Sequence, residues 1–420
     1  MSAVHATSIP SATTNTRWVQ LGLALVVMMA ISSPQYVWTL FTKPFGETTG
    51  ASLPALQITF TLVIVLQTFF SPVQGYLIER FSAKLMIALG AALSGLGWVL
   101  SAYATSLFTL YMTYGLFCGI GTGIVYVGII GLMVKWFPDR RGFAVGLVAA
   151  GYGMGAMLTS FPITSMLESS GYQRTLITFG IILGAVGFLA ALGLRAPLAG
   201  EAPERSSLLP VAGRDTKPAD MLRQPIFWLM FAMMTMMSTG GLMVVSNFAN
   251  FARDFGVANA LVFGLAALPL ALTFDRIMNG FTRPFFGWVS DNIGRENTMT
   301  IAFILEGIAI GLLIYFRENP FMFVFLSGLV FFGWGEIFSL FPSTLTDTFG
   351  TEHATTNYGF LYIAQGIGSI LGGPVAALLR EVTGSWLPVF GIVIVLDILT
   401  GLLAYFVLKP SRAKLLARTA

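Results

Sequence analysis

Long apolar stretches alternate with short polar segments along nearly the whole chain. A helix that crosses a bilayer needs roughly 20 consecutive apolar residues. Twelve stretches approach that length, so the pattern predicts twelve membrane spans, over 18–42, 53–78, 85–104, 107–134, 143–167, 174–195, 225–250, 260–289, 298–316, 320–342, 355–379 and 385–408. The predicted fold class is therefore an all-α membrane protein.

One polar segment is much longer than the others. It lies between the sixth and seventh predicted spans and reads PLAGEAPERSSLLPVAGRDTKPADMLRQ, with many proline, glycine and charged residues. Such a composition is typical of a linker. The chain is thus predicted to form two six-helix halves, 1–195 and 225–420, joined by a cytoplasmic linker over 196–224.

Composition agrees with a bilayer as the surrounding medium. Apolar residues make up 55% of the 420-residue chain and charged residues 10%, whereas soluble globular domains carry about 25% charged residues. The net charge of +4 does not indicate a nucleic-acid partner, because the Lys and Arg residues lie in short loops between apolar runs. We expect the lipid bilayer, and no nucleic acid, as a partner.

The Lys and Arg residues also predict the orientation. With a cytoplasmic N-terminus, 16 of the 23 lie on the cytoplasmic side, 5 lie on the other side, and Arg276 and Arg283 fall inside span eight. Cytoplasmic loops carry an excess of basic residues, so both termini are predicted to be cytoplasmic. The first apolar run is too long for the core of a signal peptide and is predicted to be a retained span.

Few side chains of the kinds that carry catalysis or bind metals are present. The one cysteine, Cys118, lies in an apolar run, and the two histidines, His5 and His353, lie in the tail and in a loop without partners at motif spacing. No lysine follows the glycines at P-loop spacing. We expect no enzymatic activity, no cofactor and no metal site.

Span eight carries charge in the middle of an apolar run. Arg276, Asn279 and Arg283 are spaced i, i+3 and i+7, so they share one face of a helix, with the two guanidiniums about 10 Å apart along the axis. Arginine inside a span costs about 2.5 kcal/mol on insertion scales and normally faces a bundle interior or an aqueous cavity. Two arginines on one face indicate a site for an anion.

A loop pattern occurs twice in the chain. The sequence GYLIER begins at Gly75 after the second span, and GWVSDNIGR begins at Gly287 after the eighth, 212 positions later. Internal repeats of this kind are typical of alternating-access transporters. A carboxylate at a helix end beside a basic turn can bridge to neighbouring helices and stabilise one conformation, a role we assign to Glu79, Arg80, Asp291 and Arg295.

Further motifs, together with this loop, make the chain resemble a known family. The loop is similar to the G-x-x-x-[DE]-R-x-G-x-[RK] signature of the major facilitator superfamily, and the chain more narrowly resembles its oxalate/formate antiporter family. The motifs that carry the resemblance are Gln35-Tyr36-Val-Trp38-Thr, Gly123-Ile-Val-Tyr126, Trp136-Phe-Pro-Asp139-Arg140-Arg141-Gly142, Ala150-Gly-Tyr152-Gly-Met-Gly155, Asn279-Gly280, Arg283-Pro284-Phe-Phe-Gly287, Trp334-Gly, Phe341-Pro-Ser-Thr and Asn357-Tyr358-Gly-Phe.

The resemblance implies the major facilitator fold, with two pseudo-symmetric six-helix halves around a central site. It implies that Arg283 binds a substrate carboxylate, which a guanidinium can do through two parallel hydrogen bonds. The alternatives for Arg283 are snorkelling to the interface or a structural ion pair. The resemblance further places Tyr36, Tyr126, Tyr152 and Trp334 at the substrate, with Gln35 nearby, family aromatics at Phe338 and Tyr362, and Asp139 and Arg140 in gating.

One position departs from the family. Members that handle oxalate place a lysine in span eleven, opposite the arginine, where this chain has Gln365. A dianion buried against one cation leaves an uncompensated charge, which is costly in a low dielectric. Either Arg276 supplies the second charge, or the preferred substrate is a monoanion such as formate. Arg276 could instead form a structural ion pair with Glu306 or Glu336, and Gln365 fits either substrate as a neutral donor.

The predicted function is exchange of small carboxylate anions, such as oxalate and formate, without a cofactor. The alternative is a proton-coupled monocarboxylate symporter, a related family that has an aspartate where this chain has Asn279, so that Asp275 would have to carry the proton. A membrane sensor that binds a carboxylate without moving it is a third possibility. We expect a monomeric, multi-pass protein of a bacterial inner membrane.

Overall fold

The computed structural model describes residues 15–203 and 215–419. Its helices are Asn15–Ala30, Ser33–Tyr36, Trp38–Thr49, Leu53–Phe69, Ser71–Arg80, Ala83–Ser101, Leu107–Leu110, Tyr111–Cys118, Gly119–Trp136, Arg141–Leu192, Pro218–Met221, Pro225–Asp254, Ala267–Ile293, Arg295–Tyr315, Pro320–Trp334, Ile337–Phe349, Ala354–Ile370, Leu371–Val375, Ala376–Thr383, Leu387–Leu403, Ala404–Leu408 and Lys409–Thr419. The predicted tail with His5 and the middle of the predicted linker lie outside the described residues.

Within the described residues, nine helical segments are long and apolar enough to cross a membrane. One of them, Arg141–Leu192, contains a break at Gly171, whose φ of 79° suits glycine, and so forms spans five and six. The pair Ala55–Phe69 and Ser71–Arg80, bent by 50°, forms span two. Ala267–Ile293 is span eight, although each of its 18-residue windows holds at least three charged residues. These segments together make up the twelve predicted spans.

The start of span eight differs from the prediction, which placed it at residue 260. Leu261–Val262 and Leu265–Ala266 pair as a short antiparallel hairpin, and the helix begins only at Ala267. Phe263 and Gly264 at the turn have φ values of 52° and 79°, the positive values that a two-residue hairpin turn requires. Because the hairpin is as apolar as the helix that follows it, hydropathy alone does not separate the two.

Two spans are broken near the centre of the molecule. Span one consists of Asn15–Ala30, Ser33–Tyr36 and Trp38–Thr49, and span ten consists of Pro320–Trp334 and Ile337–Phe349. Irregular backbone at membrane depth is tolerated where it is buried in protein or lines a cavity. Both breaks adjoin the central cavity described below.

The two halves meet through close backbone contacts between glycines and the opposite half. A β-carbon on Gly287 would lie 2.1 Å from the carbonyl oxygen of Gly142, and one on Gly75 would lie 2.7 Å from that of Thr355. Only glycine fits at such distances, so these helices approach more closely than larger residues would allow. We call the side of the molecule on which these contacts and the described linker residues, 196–203 and 215–224, lie the linker side.

Candidate substrate-binding site

A cavity of about 170 Å³ lies between the two halves at the middle of the spans. Helices of spans one, four, five, seven, eight, ten and eleven contribute to its wall. It is lined by all nine residues predicted to bind substrate, namely Gln35, Tyr36, Tyr126, Tyr152, Arg276, Arg283, Trp334, Tyr362 and Gln365. Their role in binding stays a prediction, but they surround one space.

The cavity is closed towards the linker side and open towards the opposite side. Val245 and Leu272 line the part farther from the linker side and are 46% and 38% exposed. Arg283 and Gln365 line the inner part and are only 2% and 9% exposed. A ligand would therefore enter from the side opposite the linker.

Arg283 lies at the closed end of the cavity. Its Nη1 donates to the carbonyl oxygen of Ala149 in the other half at 2.6 Å, and its Nη2 donates to Oδ1 of Asn279 at 2.9 Å. The guanidinium carbon is 4.5 Å from the ring centre of Phe338. Among the described residues, Nε has no hydrogen-bond partner and no carboxylate forms an ion pair with Arg283. The guanidinium is thus neither turned to lipid nor paired with a carboxylate, as the alternatives required.

Arg276 lies on the same face of span eight, nearer the cavity opening. Gly280 is the midpoint of the helix Ala267–Ile293, so that Arg276 precedes the midpoint by four residues and Arg283 follows it by three. Both side chains line the cavity. The spacing of the charged residues correctly predicts that the two arginines flank the middle of the span on one face.

No ion pair neutralises Arg276 within the described part of the chain. Glu306 and Glu336, the partners considered for it, are completely buried, and their carboxyl oxygens have no hydrogen-bond partner among the described residues. The adjacent Asp275 is turned to span ten, where its Oδ1 accepts a hydrogen bond from the Ser327 hydroxyl at 2.9 Å. The alternative of an ion pair of Arg276 with Glu306 or Glu336 does not form among the described residues, because both carboxyls are packed inside the C-terminal helices.

Four tyrosines form an aromatic wall opposite the arginines. The rings of Tyr126 and Tyr362 stack across the two halves with centres 5.0 Å apart and an angle of 9°. Tyr152 meets Tyr126 edge-on at 5.3 Å and Tyr36 at 5.6 Å. Such rings exclude water from one end of a bound acid. The hydroxyl of Tyr126 has no hydrogen-bond partner among the described residues and remains available as a donor.

Amide side chains hold this wall in place. Tyr152 donates a hydrogen bond to Oε1 of Gln35, and its hydroxyl also lies 3.4 Å from Oε1 of Gln67. Gln67 in turn donates through Nε2 to the hydroxyl of Tyr362 at 2.9 Å. Gln67 thus links the two halves, although it was not among the predicted site residues. A glutamine inside the apolar run VIVLQTFF was the available signal.

Several polar atoms at the cavity wall have no hydrogen-bond partner among the described residues. They include the Nε1 donor of Trp334, the Nδ2 donor of Asn279 and the Oε1 acceptor of Gln365. A buried polar group without a partner costs about 1–3 kcal/mol. A ligand with acceptor oxygens would satisfy the two nitrogen donors, together with Nε of Arg283.

Three further carboxyls are buried in the C-terminal helices, away from the cavity lining. Glu306, Glu336 and Asp397 have no exposed surface, and none of their carboxyl oxygens has a hydrogen-bond partner in the described chain. Within the same described ranges, no group of three His, Cys, Asp or Glu side chains is arranged to hold a metal ion.

The repeated loops form equivalent contacts across the linker side. Asp291 of the second loop accepts hydrogen bonds from the backbone N–H groups of Gly142 and Phe143, at 3.0 and 2.9 Å, where the helix of span five begins. Glu79 of the first loop accepts from the N–H of Thr356 at 3.0 Å, where the helix of span eleven begins. A carboxylate at a helix N-terminus satisfies free N–H groups and the helix dipole.

A buried ion-pair network also joins the two halves on the linker side. Asp347 at the end of span ten accepts from Arg141 of the other half and from Nε of Arg295 at 2.9 Å. Arg295 also binds Asp291, with Nη1 to Oδ1 at 2.6 Å. Arg141 and Asp347 are further gating candidates that the sequence does not reveal, since their pairing depends on helices 206 positions apart.

Three of the residues assigned to gating do not reach the other half. Arg80 donates to the hydroxyl of Tyr76 at 2.7 Å. Asp139 pairs with Arg17 at 3.0 Å and with the exposed Arg140 at 3.7 Å. Asp139 thus bridges to the neighbouring span one, whereas Arg141 makes the contact of this loop with the other half. The gating role assigned to Arg80, Asp139 and Arg140 stays a prediction.

Comparisons with known proteins agree with this architecture. The sequence profile of the Major Facilitator Superfamily matches residues 21–280 and 270–419. The crystal structure of the fucose:proton symporter FucP of Escherichia coli aligns with a TM-score of 0.68 over 94% of this chain and 99% of that one, at 15% identity. At that identity the match shows the fold alone.

Two transporters of known family have sequences similar to this chain. The oxalate:formate antiporter of Oxalobacter formigenes is 34% identical over 393 residues, covering 93% of this chain and 91% of that protein. Monocarboxylate transporter 11 of Homo sapiens is 27% identical over 343 residues, covering 77% of this chain and 69% of that protein. The predicted membership is confirmed: this chain is a membrane transporter, not an enzyme, and belongs to the oxalate/formate antiporter family of the Major Facilitator Superfamily.

Proposed function

We propose that the protein exchanges small carboxylate anions, of the oxalate and formate type, across a bacterial inner membrane. The observation that carries the proposal is Arg283, a buried guanidinium that lines the central cavity and has no carboxylate partner among the described residues. A substrate carboxylate would supply the missing negative charge through the planar donor pair. The similarity to an oxalate:formate antiporter supports the same substrate class.

The buried charge of Arg283 favours exchange over one-way transport. An empty carrier would have to reorient with the unpaired guanidinium of Arg283 buried between the halves, and a buried unpaired charge is costly. A bound carboxylate removes that cost, so reorientation is faster when a substrate is present. Net movement of empty carrier should therefore be rare, and each substrate should cross in return for another.

We further propose that the linker side is cytoplasmic and that the protein works as a monomer with a boundary between its halves at 196–224. The basic residues of the short loops support this orientation. The contacts of Asp291 and Asp347 would then close the cytoplasmic side, while the cavity faces outwards. Opening the linker side and closing the other would carry the substrate inwards.

Counterflow in liposomes tests the proposal. Purified protein is reconstituted into vesicles loaded with oxalate, with formate or with buffer alone, and uptake of labelled oxalate is followed. We expect uptake only into loaded vesicles, because the empty carrier does not return. Equal uptake into empty vesicles would contradict obligatory exchange.

A proton-coupled monocarboxylate symporter is the second candidate, and Asp275 favours it. This carboxyl lines the cavity, is 2% exposed and leaves Oδ2 without a hydrogen-bond partner among the described residues. If Asp275 carries a proton with the substrate, an imposed pH gradient should drive uptake of labelled formate or lactate into empty vesicles. Asp275→Asn should then abolish gradient-driven uptake, whereas an exchanger should show no such uptake in either protein.

A further inference from the structure

We infer that Arg276 is a second substrate-binding cation, so that the cavity is built for a dicarboxylate dianion held end to end between Arg276 and Arg283. The inference rests on the proposed function, since it assumes that Arg283 binds one carboxylate. It adds a residue to the site and makes the dianion, rather than the monoanion, the preferred substrate.

The environment of Arg276 leaves its charge available. The side chain is exposed and lines the cavity, and within the described ranges it forms neither a hydrogen bond nor an ion pair. Asp275 is its neighbour in the chain, but that carboxyl is directed to Ser327 on span ten. Arginine in a span normally finds a partner, so an anion in the cavity is the partner that Arg276 lacks.

Arg276 lies well inside the helix of span eight and not at its end. Arg276 follows the start of the span-eight helix at Ala267 by nine residues, which places it about 13 Å into the span. Arg283 precedes the other end, Ile293, by ten residues. The two arginines are therefore about equally deep from their nearer ends.

The spacing fits a short dicarboxylate. Seven residues of helix separate the two arginines by about 10 Å along the axis, and side chains on one face lean in the same direction. A guanidinium carbon lies roughly 4 Å from the carbon of a carboxylate bound at 2.7–2.9 Å. Two such contacts joined by a carbon–carbon bond of about 1.5 Å span about 9.5 Å. Oxalate therefore bridges the pair, whereas formate reaches only one arginine.

The balance of charges in the cavity also favours a dianion. Gln365 on the opposite wall is neutral, so a dianion at Arg283 alone would keep one uncompensated negative charge. Arg276 supplies the second positive charge from the same helix as Arg283. Asp275 also lines the cavity, so the site holds a dianion without a cation on span eleven when Asp275 is protonated.

Competition assays on reconstituted protein test the inference. Exchange of labelled oxalate and of labelled formate is measured for wild type, Arg276→Gln, Arg276→Lys and the double variant Arg276→Gln/Gln365→Lys. We expect Arg276→Gln to raise the KM for oxalate by about 10-fold or more, the size of a lost charge-assisted contact, and to leave the KM for formate within about 2-fold. The lysine variants should recover at least part of the oxalate affinity.

The control is Arg253→Gln, which removes an exposed arginine outside the cavity lining and should change neither KM. An equal change for oxalate and formate, or no change for either, would overturn the role of Arg276 while leaving Arg283 in place. A failure of the proposed function would give a different result. Arg283→Gln would then exchange both acids as the wild type does.

Discussion

At the scale of single residues, the proposed function depends on Arg283 and the side chains that hold it. Its two terminal nitrogens are already oriented, one by the Ala149 carbonyl and the other by Asn279. Phe338 lies below the guanidinium plane at 4.5 Å. A cation positioned in advance binds more tightly than a mobile one, because less conformational freedom is lost on binding.

The hydrogen bonds of Gln67 should matter for affinity. Gln67→Leu removes the link between Tyr152 and Tyr362, and a hydrogen bond of this kind contributes about 1 kcal/mol. We expect the KM for exchanged oxalate to rise about 5-fold. Gln57→Leu is the matched control, since Gln57 is exposed on the same span and its loss should leave KM unchanged; an equal effect of both variants would contradict the assigned role.

At the scale of helices, the linker side is closed by two kinds of contact that the internal repeat brings together. Carboxylates cap the first turns of helices in the opposite half, and glycines let the same helices touch. The contacts of Asp291, Glu79, Gly287 and Gly75 all lie on the linker side. An alternating-access cycle must break them as a group.

The ion pairs of Asp347 should stabilise this closed side. Asp347→Asn leaves Arg141 and Arg295 buried with less compensating charge, and breaking one buried pair costs about 3–5 kcal/mol. We expect a lower melting temperature of the detergent-purified protein. Asp220→Asn is the control, because its pair with Arg223 is solvent-exposed and should contribute little. An unchanged melting temperature for Asp347→Asn would show that the network does not stabilise the fold.

The close contact at Gly287 should also determine whether the linker side can close. Gly287→Ala places a methyl group 2.1 Å from the backbone oxygen of Gly142, so the closed linker side cannot form without a shift of span five or span eight. We expect faster hydrogen exchange at the amides of Gly142 and Phe143, which Asp291 protects. Gly391→Ala, which meets no atom within 4 Å, should not change that exchange. Unchanged hydrogen exchange at these two amides in Gly287→Ala would show that the closed halves can accommodate the added methyl group.

The elements also show what a sequence can and cannot predict. The arginines on span eight are predictable because a helical spacing fixes their common face, and all nine proposed cavity residues do line one space. The partners of Arg141 and Gln67 are not predictable in this way, since they come from distant helices of the other half. The hairpin before span eight was missed because its residues are as apolar as a span.

At the scale of the whole molecule, the two halves surround one central site and close one side of it. Asp291 and Glu79 occupy equivalent positions in the two repeats and contact equivalent helix starts in the opposite halves. The arrangement allows the halves to rock about the site, as internal repeats do in other transporters. In the proposed exchange, the unpaired charge of Arg283 at the centre would keep an empty carrier from moving.

The central claim is that Arg283 binds a carboxylate at the middle of the membrane. Isothermal titration of oxalate into detergent-purified wild type and Arg283→Gln measures this directly. The account predicts that Arg283→Gln weakens the Kd by about 100-fold or more, because two charge-assisted hydrogen bonds are lost, while Arg253→Gln binds as the wild type does. An oxalate Kd that is the same in Arg283→Gln and wild type would contradict it.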